Sequence, residues 1–349
     1  MKKTFRYIKQ IAPWGIAIAI FVYLFQQYPP SKVLDAIRLV NIPAFIAFSI
    51  SYFLILYLID AWSMTKVIKR FSHPVKFRDI LAGRGVTYLI MILNYAASQA
   101  AFGYYLKRKY DIPIFKALGI FLFIVYIDLM WIITLAFIGS LFQKYAVAGV
   151  DLGYTIQLIT IVAYAGTLIW LAFWRRLPEK LIGRHIRIPI IEGLRKKEAF
   201  HIFENAKLSD YLKTALLRMP IHITIILSMY VLFWTFTVEI SLVRILGNVP
   251  VVFLIGTLPI TPGGLGTANA AMVELLSPYI SSPIFSDGLI TPKEMLFAAT
   301  LLWMFSNYLL KICTGTVLLK CTSKGLFKPT EELSEEKAEE AAPHLHGNI

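Results

Sequence analysis

The sequence predicts an all-α polytopic membrane protein with six transmembrane helices, two re-entrant helical hairpins and an inverted-topology repeat. Three observations predict it. Hydrophobic residues make up 57% of the 349 and charged residues 16%, too much apolar surface for a soluble domain to bury. Six apolar stretches reach the roughly 20 residues that a bilayer requires. The basic residues alternate from one side of these stretches to the other, as the positive-inside rule demands.

In chain order, residues 11–27 form the first span. It follows Met1-Lys-Lys without an Ala-x-Ala-like cleavage site and reads as an uncleaved anchor. Val33, Leu34, Ile37 and Val40 after Ser31 give a short amphipathic helix lying at the interface. Residues 42–62, 117–142, 154–174, 220–239 and 294–319 supply the other five spans. The membrane domain covers 1–329, with repeat one at about 1–142 and repeat two at about 154–320. Residues 330–349, rich in Glu, read as a disordered acidic cytoplasmic tail.

Two further apolar segments are interrupted. Residues 81–105 carry Asn94, Ser98 and Gln99 near their middle. Residues 251–276 contain the run Leu258-Pro-Ile-Thr-Pro-Gly-Gly-Leu-Gly-Thr-Ala-Asn-Ala-Ala-Met272. Such breaks strip backbone groups of helical partners, which lipid tolerates only where protein or a watery cavity surrounds them. Charge parity makes both segments hairpins rather than crossings. With them so assigned, 28 of the 35 basic residues lie on the cytoplasmic side and five outside, leaving Arg84 and Lys311 within apolar segments. Both termini are then cytoplasmic. Each half reads span, span, hairpin, span, and the halves start on opposite faces, the order of an inverted repeat. Ala97-Ser-Gln-Ala-Ala101 faintly echoes Thr267-Ala-Asn-Ala-Ala271.

The candidate sites follow from those breaks. At the second, free N–H groups and the helix dipole favour an anion such as a lipid phosphate. The substrate-binding candidates there are Thr261, Pro262, Gly263, Gly264, Gly266, Thr267 and Asn269. The bland alternative is a structural hairpin whose glycines permit close packing. Asn94, Ser98 and Gln99 offer a matching polar tip, or satisfy their own hairpin backbone. A charged Asp128 at a span centre costs roughly 2.5–3.5 kcal/mol and calls for a partner; Arg84 is the nearest in sequence, as a charge pair or coupling site. Asp60, Glu274 and Lys311 fall nearer the edges, where Lys311 snorkels and the two acids reach interfacial water.

Other classes are excluded. The net charge of +14 is accounted for by topology and contact with anionic lipid, not nucleic acid. Cys313 and Cys321, like His344 and His346, lack metal-site spacing or number, and no phosphate loop, dinucleotide fingerprint or His-Glu-x-x-His occurs, so neither metal nor cofactor is expected.

The stretch Thr261-Pro-Gly-Gly-Leu-Gly266, followed by small residues and an apolar helix, resembles the flippase-like UPF0104 membrane family and the transmembrane part of lysylphosphatidylglycerol synthases. A looser resemblance covers residues 94–128: a polar break, Tyr-Leu-Lys-Arg, a turn at Asp111-Ile-Pro, then a long span bearing Asp128. Two departures stand out. Relatives typically have Pro-Gly-Arg-x-Gly-Glu at the first break, where Asn94-Tyr-Ala-Ala-Ser-Gln99 stands here. They have a Glu after the second, where Asn269 stands. Two acids are thus replaced by carboxamides, which puts proton coupling at these positions in doubt. The relatives' soluble aminoacyl-transferase domain is not found, so lysine transfer is not expected. The resemblance implies movement of an anionic lipid head group, or a lipid-linked sugar, between leaflets of the cytoplasmic membrane. Two alternatives remain: a transferase on polyprenyl-phosphate-linked sugars, or a non-transporting partner of a cell-envelope synthase that docks through the basic cytoplasmic loop.

Overall fold

A computed structural model describes residues 2–143, 145–147, 150–175, 189–258 and 260–326. The expected acidic tail and part of the basic loop lie outside the described residues.

Helix α1 (Lys2–Gln27) leads into α2 (Pro30–Arg38), the short amphipathic helix, which buries Val33 and Ala36. Asn41 then caps α3 (Ile42–Phe71), its Oδ1 accepting from Ala44 N at 3.1 Å. Helices α4 (Phe77–Met91) and α5 (Tyr95–Tyr110) form the first hairpin. Asp111, left-handed at φ 55°, closes α5 just before Pro113 starts α6 (Ile114–Phe142). A two-residue ladder pairs β1 (Ala146–Val147) with β2 (Val150–Asp151), and Asp151 caps α7 (Leu152–Trp174). Short helices α8 (Pro189–Arg195) and α9 (His201–Asn205) precede α10 (Leu208–Thr235). The second hairpin is α11 (Leu242–Thr257) and α12 (Thr267–Leu276), and α13 (Pro292–Leu326) ends the described chain.

Among the described residues, five helices are long and apolar enough to cross a membrane: α3, α6, α7, α10 and α13 as far as Lys320. They contain four of the six predicted spans and most of a fifth, 220–239, which overruns the end of α10 at Thr235. The remaining one, residues 11–27, lies within the 26-residue helix α1. One boundary moves with consequence. The sequence starts the fifth span at Pro220, yet α10 runs through that proline from Leu208. Proline removes one backbone donor, which packed membrane helices tolerate.

The packing pairs α3 with α10, α6 with α11, and α4 with α13. Two of these crossings are made by glycine. A Cβ on Gly139 of α6 would collide with the backbone oxygen of Gly247 of α11, and one on Gly315 of α13 would lie 3.1 Å from the oxygen of Gly85 of α4. Small residues let helix backbones approach where lipid supplies no hydrophobic drive. Helix α7 is peripheral, with Tyr154, Ile161, Val162 and Leu168 exposed, an apolar face suited to lipid contact.

Candidate functional site

Five polar side chains converge from four helices: Asp60 on α3, Arg84 on α4, Asp128 on α6, and Arg218 with His222 on α10. Arg84 reaches Asp60 Oδ2 through Nε at 3.0 Å and Nη2 at 2.8 Å. Arg218 forks onto Asp128, with Nε to Oδ1 at 2.9 Å and Nη2 to Oδ2 at 2.6 Å. Its Nη1 turns the other way, to Asp60 Oδ1 at 2.7 Å and Ser63 Oγ at 3.0 Å. His222, one turn on, places Nε2 3.2 Å from Asp128 Oδ1, and its ring stacks on Trp131. Both arginines are buried, at 5% and 6% exposure. Every carboxylate oxygen of the two acids accepts from a cationic or imidazole donor, the arrangement that makes buried charge tolerable.

The geometry corrects three sequence expectations. Asp128 bonds to Arg218, not to Arg84; Arg84 and Asp128 share one network through Arg218 and Asp60. Asp60 does not reach interfacial water, because two arginines hold it at 15% side-chain exposure. Arg218, counted in the cytoplasmic loop when the span starts at Pro220, lies inside α10. Arg218 and His222 are functional candidates that sequence reasoning missed. Their i, i+4 spacing places both on one helix face, a signal visible once α10 is allowed to run through its proline. Nearer the ends of the same two helices, Arg70 forks onto Asp210 at 2.7 and 3.0 Å. The α3–α10 seam is thus stitched twice, with acid and base exchanged.

At the first hairpin, Asn94 Oδ1 accepts from Ala97 N at 2.9 Å and caps α5. Ser98 Oγ donates to Thr87 O at 3.0 Å, tying the two arms together. Gln99 is buried, and its Oε1 has no partner among the described residues. The side chains of Asn94 and Ser98 are therefore spent on the hairpin's own backbone, while the Gln99 carbonyl is free.

At the second hairpin, residues Pro262–Gly264 make a single 3-10 turn, and Gly263, Gly264 and Gly266 have φ of 61°, 75° and 81°. Side chains rarely adopt that left-handed region. A Cβ on Gly264 would lie 2.7 Å from Gly256 O, and one on Gly266 would lie 2.9 Å from Ile20 Cγ2 on α1. Gly263 faces open space. Thr261 and Thr267 bring their hydroxyls to 3.1 Å, Thr267 Oγ1 donates to Gly264 O at 3.1 Å, and Gly266 N donates to Asn269 Oδ1 at 3.2 Å. The candidate residues do come together, in a turn that satisfies part of its own backbone and is covered at Gly266 by α1.

No curated protein and no solved structure matches the chain. A family model does, over residues 10–314, and its description is the lysylphosphatidylglycerol synthase TM region. That match spans most of the 349 residues, and with five helices able to cross a bilayer the chain belongs to this family as an integral membrane protein.

Proposed function

We propose that the protein is a flippase-like translocase moving an anionic lipid head group, or a lipid-linked sugar, between leaflets by alternating access. The carrying observation is the buried network Asp60–Arg84–Arg218–Asp128, which joins the first hairpin to three membrane helices. Charge inside a membrane bundle is costly and marks substrate or ion pathways. In this reading α4–α5 and α11–α12 are re-entrant hairpins entering from opposite faces of the plasma membrane. The paired crossings support an inverted repeat: exchanging the halves takes α6 on α11 into α13 on α4, and Gly139–Gly247 into Gly315–Gly85. Polar sites of transporters sit at such repeat interfaces.

The transferase alternative is weaker. It needs a catalytic acid or base near the hairpin tips, for which Asp128 and Arg84 are the candidates; both Asp128 oxygens already accept from Arg218, one also from His222, and Arg84 is paired with Asp60. The membrane-lipid substrate and the two termini on the cytoplasmic side belong to the same proposal. Purified protein in liposomes should accelerate leaflet redistribution of head-group-labelled phosphatidylglycerol or a polyprenyl-phosphate lipid over protein-free liposomes. Product formation from a lipid-linked sugar donor without redistribution would favour the transferase, and neither activity in folded protein would favour the docking partner; either result overturns the translocase.

Topology is tested separately, by single-cysteine labelling in a background lacking Cys313 and Cys321. Position 107, at the base of the first hairpin, should react from the cytoplasmic side, and position 287, before α13, from outside. Reaction of both from one side would overturn the arrangement.

A further inference from the structure

We propose that Arg84 and Lys311, gathered around the ring of Tyr88, form a seat for the phosphate group of a membrane lipid. This deepens the translocase reading and rests on it for the role of the seat in transport. The four oxygens of Asp60 and Asp128 are taken up by Arg84, Arg218 and His222. Two cationic donors are left over. Arg84 Nη1 is buried without a hydrogen-bond partner among the described residues, on a side chain 7% exposed. Lys311, on α13, has no carboxylate partner among the described residues. It instead lies 6.0 Å from the ring centre of Tyr88 and 5.8 Å from that of Tyr308.

The two donors share a neighbour. Arg84 Cζ is also 6.0 Å from the Tyr88 ring centre, so the two cations are no further apart than twice that distance. Tyr88 is fixed in place by Phe53 and Tyr57, at ring separations of 6.0 and 5.4 Å. The crossing of α4 and α13 at Gly85 and Gly315 brings the two backbones together and so sets the spacing. With Arg84, Arg218 and Lys311 against Asp60 and Asp128, the cluster carries one uncompensated positive charge. Inside a bilayer such a charge is costly, and an anion beside it relieves the cost. A guanidinium with a free N–H and an ammonium that share one aromatic neighbour suit the oxygens of a phosphate. The aromatic floor of Phe53, Tyr57 and Tyr88 suits an acyl or glycerol portion beside it. A phospholipid phosphate meets both conditions; inorganic phosphate meets only the first.

Lys311→Gln is the variant of choice, because Lys311 lacks a carboxylate partner whose burial would be left uncompensated. In detergent, wild-type protein, Lys311→Gln and Lys311→Arg are titrated with phosphatidylglycerol, with a neutral glycosyl diacylglycerol and with inorganic phosphate, reading thermal stabilisation and lipid adducts by native mass spectrometry. The expected result is stabilisation by phosphatidylglycerol but not by the neutral lipid, roughly tenfold weaker in Lys311→Gln and retained in Lys311→Arg. Stabilisation by inorganic phosphate alone, lost in Lys311→Gln, would support the seat and assign it the free ion. Equal phosphatidylglycerol binding by folded wild type and Lys311→Gln would overturn it, leaving Lys311 to snorkel. Because binding is read without transport, failed redistribution with intact Lys311-dependent binding would count against the translocase and not against the seat.

Discussion

Both hairpins carry a glycine crossing, but the first, α4–α5, is fixed in addition by charge and aromatic rings, whereas the turn of the second, α11–α12, closes on close-packed glycines and hydroxyls. Arg84 fixes α4 to α3 through Asp60, and Tyr57 donates to Leu81 O from the same side. At the second hairpin the corresponding contacts are Gly264 on Gly256, Gly266 beneath Ile20, and a threonine pair. Similar geometry has thus been reached by two chemistries with different vulnerabilities. An ionic anchor fails when one partner is removed, and a glycine anchor fails when an atom is added.

The largest effect should come from the shared ion of the first region. Arg218→Ala removes a partner of both Asp60 and Asp128 and leaves two part-buried carboxylates with one arginine. Removing one partner of a buried pair costs roughly 3–5 kcal/mol, so a strong fall in thermal stability in detergent is expected. Arg218→Lys should recover little, because an ammonium cannot reproduce the three-way fork. Near-normal stability of Arg218→Ala would mean that the network is not what holds α3, α6 and α10 together.

The second region should break by addition. Gly264→Ala meets both a left-handed backbone and Gly256 O at 2.7 Å, and should cost roughly 2–4 kcal/mol from strain and overpacking together. Gly263→Ala has the same kind of backbone but open space around it, and should cost only about 1–2 kcal/mol. Comparing melting temperatures separates the terms. Equal losses at the two positions would show that close backbone approach contributes nothing.

These two regions also differ in how far the sequence revealed them. Breaks in apolar runs are local features, so Asn94 and the Pro262–Gly264 turn were legible as breaks, and charge parity folded each segment back. The glycine-rich turn was legible as a meeting place of Thr261, Thr267 and Asn269, because its contacts are six residues apart or fewer. The ion network was not. Its partners are separated by 24 to 158 residues, and proximity in sequence favoured Arg84 for Asp128 over Arg218. The proline at 220 hid Arg218 by suggesting a helix start where the helix in fact continues. Lys311 was visible as a charge in an apolar run, but its nearness to Tyr88 depends on the α4–α13 crossing, which no local pattern encodes.

A milder comparison uses the outer stitch of the α3–α10 seam. Arg70 is half-exposed and Asp210 buried, and Asp210 also accepts from Lys207 N at 2.9 Å. Arg70→Gln therefore leaves Asp210 a hydrogen-bond donor, and should lower the melting temperature far less than Arg218→Ala. A loss as large as that of Arg218→Ala would place the structural anchor of the seam at its end rather than in its middle.

The smallest effect on stability, and the sharpest on mechanism, is expected at the two helix-capping asparagines, Asn94 and Asn269. Asn94 caps α5 at an exposed position, and Asn269 caps the buried start of α12 through Gly266 N. Aspartate keeps the accepting oxygen at either place and puts a negative charge at a helix N-terminus, where the dipole favours it by roughly 0.3–1 kcal/mol. Asn94→Asp and Asn269→Asp should both stay within about 1 kcal/mol of wild type. Their effects on lipid redistribution should part. If the second turn receives an anionic head group, a fixed carboxylate at 269 occupies its positive end and repels the ligand, so redistribution slows several-fold and recovers as the pH is lowered far enough to protonate it. Asn94→Asp should leave the rate unchanged. Wild-type redistribution by Asn269→Asp would make the turn purely structural, a glycine hinge covered by α1, and would leave the handling of the anion to the charged first region alone.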